Sequence, residues 1–222
     1  MGTLPSPRIL LGPGPSSVTP RVLEALGRAP IGYLDPELFT LLEGLRADLR
    51  TLYGTQNPFT IPLTGTGMAG MEACLVNLIE PGDTVVIGVN GFFGGRLVEI
   101  AKRLGAEVVR VDGEWGRILE PEAFAKALKG LSKVKLVATV HAETSTGVRT
   151  PLEEIAKLAH AHDALFVADM VTSLGGLPVN VDSVGVDAAY SGTQKCVGAP
   201  PGLSPITVSP RAWEVVQSRK TP

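Results

Sequence analysis

The chain alternates between short apolar runs and longer segments in which apolar residues recur every three or four positions. Seven apolar runs, most of them rich in Val, Ile, Leu and Ala, are predicted as strands: Phe59–Thr64, Thr84–Val89, Glu107–Val111, Val134–Val140, Ala164–Ala168, Asp187–Ser191 and Leu203–Val208. Near-continuous apolar runs are typical of strands that are buried on both faces of a sheet. We therefore expect a sheet with other elements packed on both sides.

The segments between these runs have helical periodicity and are predicted as helices: Met68–Glu80, Phe92–Leu104, Glu120–Leu131 and Pro151–His162. A further helix is predicted at Pro36–Tyr53, where leucines recur along one face that we expect to be buried, and another at Pro210–Ser218. Strands that alternate with helices predict the α/β class, with a mainly parallel seven-stranded sheet and helices on both faces. The chain has no linker or repeat, so one domain over residues 1–222 is expected.

Composition narrows the class of protein. The 222 residues are 44% hydrophobic and include 20 Lys and Arg against 22 Asp and Glu. The hydrophobic fraction excludes a disordered chain. The near-balanced charges predict no basic surface for nucleic acid or an anionic membrane. The two cysteines, Cys74 and Cys196, have no metal-ligand spacing, so no metal is predicted.

The sequence also favours a cytoplasmic location. No apolar run reaches the roughly 18 residues that a membrane helix needs, and the first residues lack the pattern of a secretory signal. Gly2 and Ser6 do match the N-myristoylation pattern, but an ordinary start of the chain is the preferred interpretation.

Glycine-rich and polar residues follow several of the predicted strands. In open parallel sheets, ligands bind outside the carboxyl ends of the strands, which meet at one edge. The segments predicted at that edge are Thr64–Gly70, Asn90–Gly94, His141–Gly147, Asp169–Ser173 and Ser191–Lys195. Their shared position predicts one ligand site.

Gly65–Gly70 matches the G-x-G-x-x-G pattern of dinucleotide-binding loops, between a strand and a helix. The complete pattern also needs an acidic residue at the end of the next strand, where this chain has Asn90. A nicotinamide-dependent oxidoreductase remains an alternative. The simpler interpretation is a phosphate group bound at the helix N-terminus.

Three other residues at this edge carry candidate chemistry. Asp169 follows a buried strand, where a carboxylate needs a partner. That partner would be a ligand, the N-terminus of a helix that Asp169 caps, or an arginine. Lys195 lies at a strand edge, where lost solvation would lower its pKa and make it nucleophilic, unless it is a surface lysine. Phe93 would stack on a flat ligand ring or pack in the core.

Taken together, these stretches resemble the class V aminotransferases, which are pyridoxal-phosphate enzymes of fold type I, and among them the alanine–glyoxylate and serine–pyruvate group. The matching stretches are Leu11–Ser16, Thr64–Gly67, Glu72–Asn77, Glu80–Asp83, His141–Gly147, Asp169–Gly176, Tyr190–Cys196 and Ala199–Leu203. They span nearly the whole chain, which would be the large, cofactor-binding domain with its N-terminal segment.

The resemblance implies a role for each matching residue. Lys195 would bind the aldehyde of pyridoxal 5′-phosphate, and Asp169 would keep the pyridine nitrogen protonated. The remaining cofactor-binding residues implied by the resemblance are Thr66, Gly67, Met68 and Gln194 at the phosphate, Phe93 on the ring, Thr144 near the phenolic oxygen and Ser173 in support of Asp169.

The resemblance further implies transfer of an amino group from alanine or serine to glyoxylate or pyruvate, in a homodimer. A cysteine desulfurase-like enzyme is an alternative, although its relatives place a histidine where this chain has Phe93. Because family members continue beyond Pro222 into a small C-terminal domain that binds the substrate carboxylate, we also expect the chain to be truncated. A non-catalytic, cofactor-binding subunit is therefore a further alternative.

Overall fold

The computed structural model describes residue 6 and residues 8–221, so Gly2 of the myristoylation pattern lies outside the described residues. The strands are β1 (Phe59–Thr64), β2 (Thr84–Val89), β3 (Glu107–Asp112), β4 (Leu136–Val140), β5 (Ala142–Glu143), β6 (Val148–Arg149), β7 (Leu165–Asp169), β8 (Ala188–Tyr190) and β9 (Leu203–Val208). The helices are α1 (Pro20–Leu26), α2 (Pro36–Tyr53), α3 (Gly67–Leu78), α4 (Phe92–Arg103), α5 (Pro121–Leu128), α6 (Glu153–Ala161), α7 (Val181–Val184) and α8 (Pro210–Gln217).

Seven strands form one sheet in the order β1-β9-β8-β7-β4-β2-β3. The pairs β2–β3, β2–β4, β4–β7 and β7–β8 are parallel, whereas β9 is antiparallel to both of its neighbours, β1 and β8. The predicted α/β fold with a mainly parallel seven-stranded sheet is confirmed. As β9 runs opposite to its neighbours, β1 points the same way as β8, and its carboxyl end lies at the same edge.

The sheet separates two apolar layers, because successive side chains of a strand point to opposite faces. Val85 and Ile87 of β2 pack with α3, α4 and α8, whereas Val86 packs with α5 and α6. The same alternation along β7 places Val167 in the first layer and Phe166 in the second. Helices on both faces are therefore confirmed, and the buried strands explain the near-continuous apolar runs.

The expectation of a buried face on α2 is wrong for most of that helix. Its bounds match the prediction: Asp35 caps it by accepting a hydrogen bond from the Glu37 N–H, and Pro36 is its first residue. Only Leu49 and Tyr53 are buried, because just the last turns of α2 reach the sheet. The other leucines of the stripe are half-buried or exposed.

Three small elements were not predicted: α1, α7 and the hairpin of β5 with β6. Each is seven residues or shorter, and such lengths carry too little periodicity to be recognised. No helix of the described residues is long and apolar enough to cross a membrane.

Candidate active site

Three loops meet at the carboxyl edge of the sheet. Met170, just after β7, donates its N–H to the Tyr190 carbonyl oxygen at the end of β8, and Ser191 donates its hydroxyl to the Met170 carbonyl oxygen at 3.1 Å. Gly67, at the start of α3, approaches these loops so closely that a Cβ there would lie 3.0 Å from Cγ2 of Val171. The structure therefore brings the predicted segments after β1, β7 and β8 together.

Asp169 is the last residue of β7, and its carboxylate is 2% exposed. One oxygen accepts from the Val171 N–H at 2.9 Å, and the other accepts from the Tyr190 hydroxyl at 2.8 Å. Burial raises the pKa of Asp169 to about 6, although these two hydrogen bonds oppose the rise. The carboxylate is thus held in place with lone pairs still available to a ligand.

Lys195 lies in the loop after β8, beneath the N-terminal segment. Its Nζ donates to the Pro13 carbonyl oxygen at 2.7 Å. Ser16 holds the same loop, since its N–H donates to the Gln194 carbonyl oxygen and its hydroxyl to that of Lys195, both at 2.8 Å. Partial burial lowers the pKa of Lys195 and favours the neutral, nucleophilic amine.

The turn between β1 and α3 presents backbone donors. Thr66 is the N-cap of α3, but its hydroxyl forms no capping hydrogen bond. The N–H groups of Gly67 and Met68 have no partner among the described residues, as expected for the first turn of a helix. Unpaired N–H groups at the start of a twelve-residue helix suit an anion.

Gln194 borders the same space. Its side-chain oxygen is buried and has no hydrogen-bond partner among the described residues. A Cβ on Gly192 would lie 2.7 Å from that oxygen, and a Cβ on Gly67 would lie 3.7 Å from the Gly192 Cα. Since the two ends of an amide are exchanged by a rotation of the side chain, this group would also offer an N–H donor there.

Phe93 and Thr144 come from other elements. Phe93, in the first turn of α4, is half-buried and meets the exposed Phe92 edge-on, with ring centroids 5.2 Å apart. The Thr144 hydroxyl lies 2.5 Å from that of Thr172, in the loop after Asp169. Thr144 is thus tied to the Asp169 loop, whereas Phe93 packs partly against the core.

The Ser173 side chain has no hydrogen bond to Asp169 among the described residues. Its hydroxyl is fully buried and lies 3.0 Å from Nδ1 of His141. Burial lowers the pKa of His141 to about 4, so the ring is neutral near pH 7. The direct supports of Asp169 are instead Tyr190 and the Val171 N–H.

Two groups at this edge were not among the site residues predicted from the sequence. Tyr190 donates its hydroxyl to the Asp169 carboxylate, yet buried tyrosines are ordinary in a strand. Pro13 contributes a backbone carbonyl oxygen, for which the residue type holds no signal. The Leu11–Ser16 motif did mark this segment, but not its contact with Lys195.

Comparisons with known proteins show the family of the chain. The model of the family described as aminotransferase class-V matches residues 15–221. The chain is 42% identical to (S)-ureidoglycine–glyoxylate transaminase of Bacillus subtilis and 41% identical to alanine–glyoxylate aminotransferase of Rattus norvegicus. Each alignment covers 96% of this chain and 51% of the relative.

A solved structure, alanine–glyoxylate aminotransferase from Nostoc sp., superimposes with a TM-score of 0.96 at 47% identity and covers 100% of this chain and 59% of that one. The chain therefore spans about half the length of the curated relatives it matches. The family model nevertheless matches nearly all of the chain, and sequence and fold agree. The chain belongs to the class V aminotransferase family.

Proposed function

We propose that this chain is the pyridoxal phosphate-binding part of an aminotransferase that moves an amino group from alanine or serine to glyoxylate or pyruvate. The observation that carries the proposal is the meeting of Lys195, Asp169 and the free N–H groups of Gly67 and Met68 at one edge of the sheet. The amine of Lys195 matches the aldehyde of that cofactor, and the carboxylate of Asp169 matches its ring nitrogen. The N–H groups of Gly67 and Met68, with Gly192 and Gln194 beside them, match its phosphate, and we call these four residues the cradle. The similar proteins named above support the acceptor, since all three are named for glyoxylate.

The residues of the cradle fit a phosphate. Gly67 and Gly192 have no side chains to fill the space between them, and the Gln194 side-chain oxygen there has no partner among the described residues. The N-terminus of α3 supplies two N–H donors and the positive end of the helix dipole. Thr66 adds an exposed residue whose hydroxyl does not cap the helix.

When bound, the cofactor supplies an electron sink that makes the Cα–H of an amino acid acidic. Asp169 would hold a proton at the ring nitrogen through a charge-assisted hydrogen bond, and Tyr190 and the Val171 N–H fix its carboxylate in position. Nζ of Lys195 would accept the proton from Cα, because its lowered pKa leaves more of the amine neutral and able to take up a proton. Phe93 would cover the ring face, and Thr144 would lie near the phenolic oxygen.

We further propose that a second copy of the chain covers an apolar surface of the N-terminal segment and α2, which we call the N-terminal apolar surface. Its exposed side chains are Ile9, Leu10, Leu11, Leu23, Leu26, Ile31, Tyr33, Leu34, Phe39, Leu41, Leu42 and Leu52. Twelve large apolar side chains exposed within residues 9–52 are typical of a surface that binds a partner. Leu10 and Leu11 of this surface lie close in the chain to Pro13, whose carbonyl oxygen accepts from Lys195. This proximity supports a dimer with the site near the interface.

The test is covalent capture of the cofactor. We expect the chain to turn yellow with pyridoxal phosphate, and borohydride reduction followed by peptide mapping to place the label on Lys195. Lys195→Ala should abolish the label and Lys157→Ala should not, since Lys157 is an exposed partner of Glu154. A label on another lysine, or none, would contradict the proposal.

The substrate class needs a second measurement. Alanine should bleach the yellow colour, and glyoxylate should restore it. Sulfide release from cysteine would point to a desulfurase instead, and colour that no amino acid changes would indicate a non-catalytic, cofactor-binding subunit.

A further inference from the structure

One buried carboxylate at the candidate site has no part in the proposed reaction. Glu143 is 1% exposed and ends β5, directly before Thr144. Burying a charged carboxylate is costly unless donors surround it. Its partners therefore show what it holds.

The two oxygens of Glu143 face different segments. Oε2 accepts from the N–H groups of Phe93 at 3.1 Å and Gly94 at 3.2 Å, both in the first turn of α4. Oε1 accepts from the Ser145 N–H at 3.1 Å and from its hydroxyl at 2.7 Å. The Ser145 hydroxyl in turn accepts from the Phe92 N–H at 2.9 Å. Glu143 and Ser145 thus bind the first three N–H groups of α4.

This contact depends on a close approach. A Cβ on Gly91 would lie 2.2 Å from Cγ of Glu143 and 2.6 Å from the Ser145 hydroxyl oxygen. Only glycine leaves room for the carboxylate to reach the helix. The N-terminal end of the helix dipole further stabilises the negative charge.

The same turn reaches a second part of the site. Thr144 lies between the two capping residues, and its hydroxyl contacts Thr172 in the loop after Asp169. Glu143, which binds the Phe93 N–H, is therefore the chain neighbour of Thr144, which contacts the Asp169 loop. A shift of Glu143 would move α4 relative to that loop.

We propose that Glu143 is a positioning residue, which holds the start of α4 so that Phe93 and Thr144 keep one spacing around the site. The effect on a ligand rests on the proposed function, because it requires the flat ring of the cofactor between Phe93 and Thr144. The hydrogen bonds from α4 to Glu143 do not depend on the proposed function.

The first arm of the test uses the chain without cofactor. In Glu143→Gln, the negative charge is lost and an N–H₂ group replaces one acceptor oxygen. The N–H groups of Phe93 and Gly94 therefore either lose their acceptor or keep a neutral, weaker one. We expect amide hydrogen exchange, read by NMR, to be about tenfold faster at Phe93 and Gly94. The matched control is Glu99→Gln on the same helix, whose carboxylate pairs with Arg96 and Arg103 near the surface. Unchanged exchange in Glu143→Gln would overturn the proposal.

The second arm adds pyridoxal phosphate. Glu143→Gln should bind it about tenfold more weakly and change the sign or intensity of its induced circular dichroism band, which reports the ring's orientation. Glu99→Gln should match the wild type in both. Faster exchange with an unchanged band and affinity would limit Glu143 to the stability of α4 and overturn its positioning role.

Two outcomes need separate treatment. If Glu143→Gln does not fold, Ser145→Ala tests the same turn, and exchange at Phe92 should then rise while the band changes less; no change would overturn the proposal. If the wild-type chain itself does not bind the cofactor, the proposed function fails, and the exchange arm still decides whether Glu143 holds α4.

Discussion

Nζ of Lys195 donates a hydrogen bond of 2.7 Å to the carbonyl oxygen of Pro13, a residue 182 positions earlier in the chain. The contact places the amine beneath residues 13–16 of the N-terminal segment, which we call the strap. Ser16 binds the strap to the same loop, since its hydroxyl donates to the Lys195 carbonyl oxygen. A hydrogen bond to a neutral carbonyl orients the amine. The strap therefore sets where the candidate nucleophile stands before a ligand arrives.

Gly14→Ala should slow the capture of pyridoxal phosphate by Lys195. A Cβ at this position would lie 2.4 Å from Cδ and 2.8 Å from Nζ of Lys195, and the backbone has a φ of +126° that side chains rarely adopt. Because misplacing a reacting group by about 1 Å can cost up to about a hundredfold in rate, we expect a ten- to hundredfold loss of borohydride-trapped label per unit time. Gly12→Ala is the control, since no atom lies within 4 Å of its Cβ; equal rates for the two variants would contradict a role for the strap.

Asp169→Asn should retain the cofactor but lose most of the rate of proton transfer. The charged hydrogen bond that it removes is worth roughly 1.5–3 kcal/mol, and without it the ring nitrogen holds its proton less well. Single-turnover reaction with alanine, followed by the colour of the bound cofactor, measures the change. An unchanged rate would exclude the electron-sink role of Asp169.

The same variant should change how stability depends on pH. The pKa of Asp169 is raised by burial from 3.8 to about 6, so the folded chain binds more protons than the unfolded chain between these values, and stability falls as pH rises through them. His141 has the opposite slope: its pKa is lowered by burial from 6.5 to about 4, so its contribution is lost as pH falls. In the wild type the two offset each other.

Asp169→Asn removes only the first of these contributions. In this variant only the loss due to His141 remains as pH falls from about 6.5 to about 4. Over that range its free energy of unfolding should therefore decrease by on the order of 3 kcal/mol more than that of the wild type. Urea titrations at several pH values provide the measurement, with Asp163→Asn, an exposed carboxylate, as the control. Parallel profiles for Asp169→Asn and the wild type would show that burial does not raise this pKa.

Phe93→Ala should weaken cofactor binding by about 1 kcal/mol, or about fivefold, as the loss of a stacked ring would. Phe92→Ala is the matched control, because this neighbouring ring is 53% exposed and meets Phe93 only edge-on. Titration of each variant with pyridoxal phosphate gives the affinities. Equal affinities for Phe93→Ala and the wild type would assign Phe93 to the core.

The double substitution of Leu41 and Leu42 by Gln should reduce self-association. Both leucines belong to the N-terminal apolar surface and are 54% and 37% exposed, and we expect them to be buried by a second copy of the chain. Sedimentation velocity should show smaller species than for the wild type. Trp115→Gln, which removes an exposed apolar side chain elsewhere, should leave the distribution unchanged; a monomeric wild type would contradict the dimer.

The sequence by itself determined the strands and most helices. Burial on both faces leaves a near-continuous apolar run in a strand, and burial on one face leaves a period of three or four residues in a helix. It also placed Asp169 and Lys195 at a shared edge, since the carboxyl ends of parallel strands meet there. The antiparallel β9, between β8 and β1, was decided by tertiary packing, as an apolar run has no direction.

Contacts between distant segments were likewise beyond the sequence. The carbonyl oxygen of Pro13 reaches Lys195, and the carboxylate of Glu143 caps a helix 50 positions away, through backbone groups that every residue has. The leucines of α2 make this helix amphipathic, and the same pattern results whether the apolar face meets a sheet, solvent or another chain. Local patterns record that a group needs a partner, and only the tertiary structure decides which partner comes within reach.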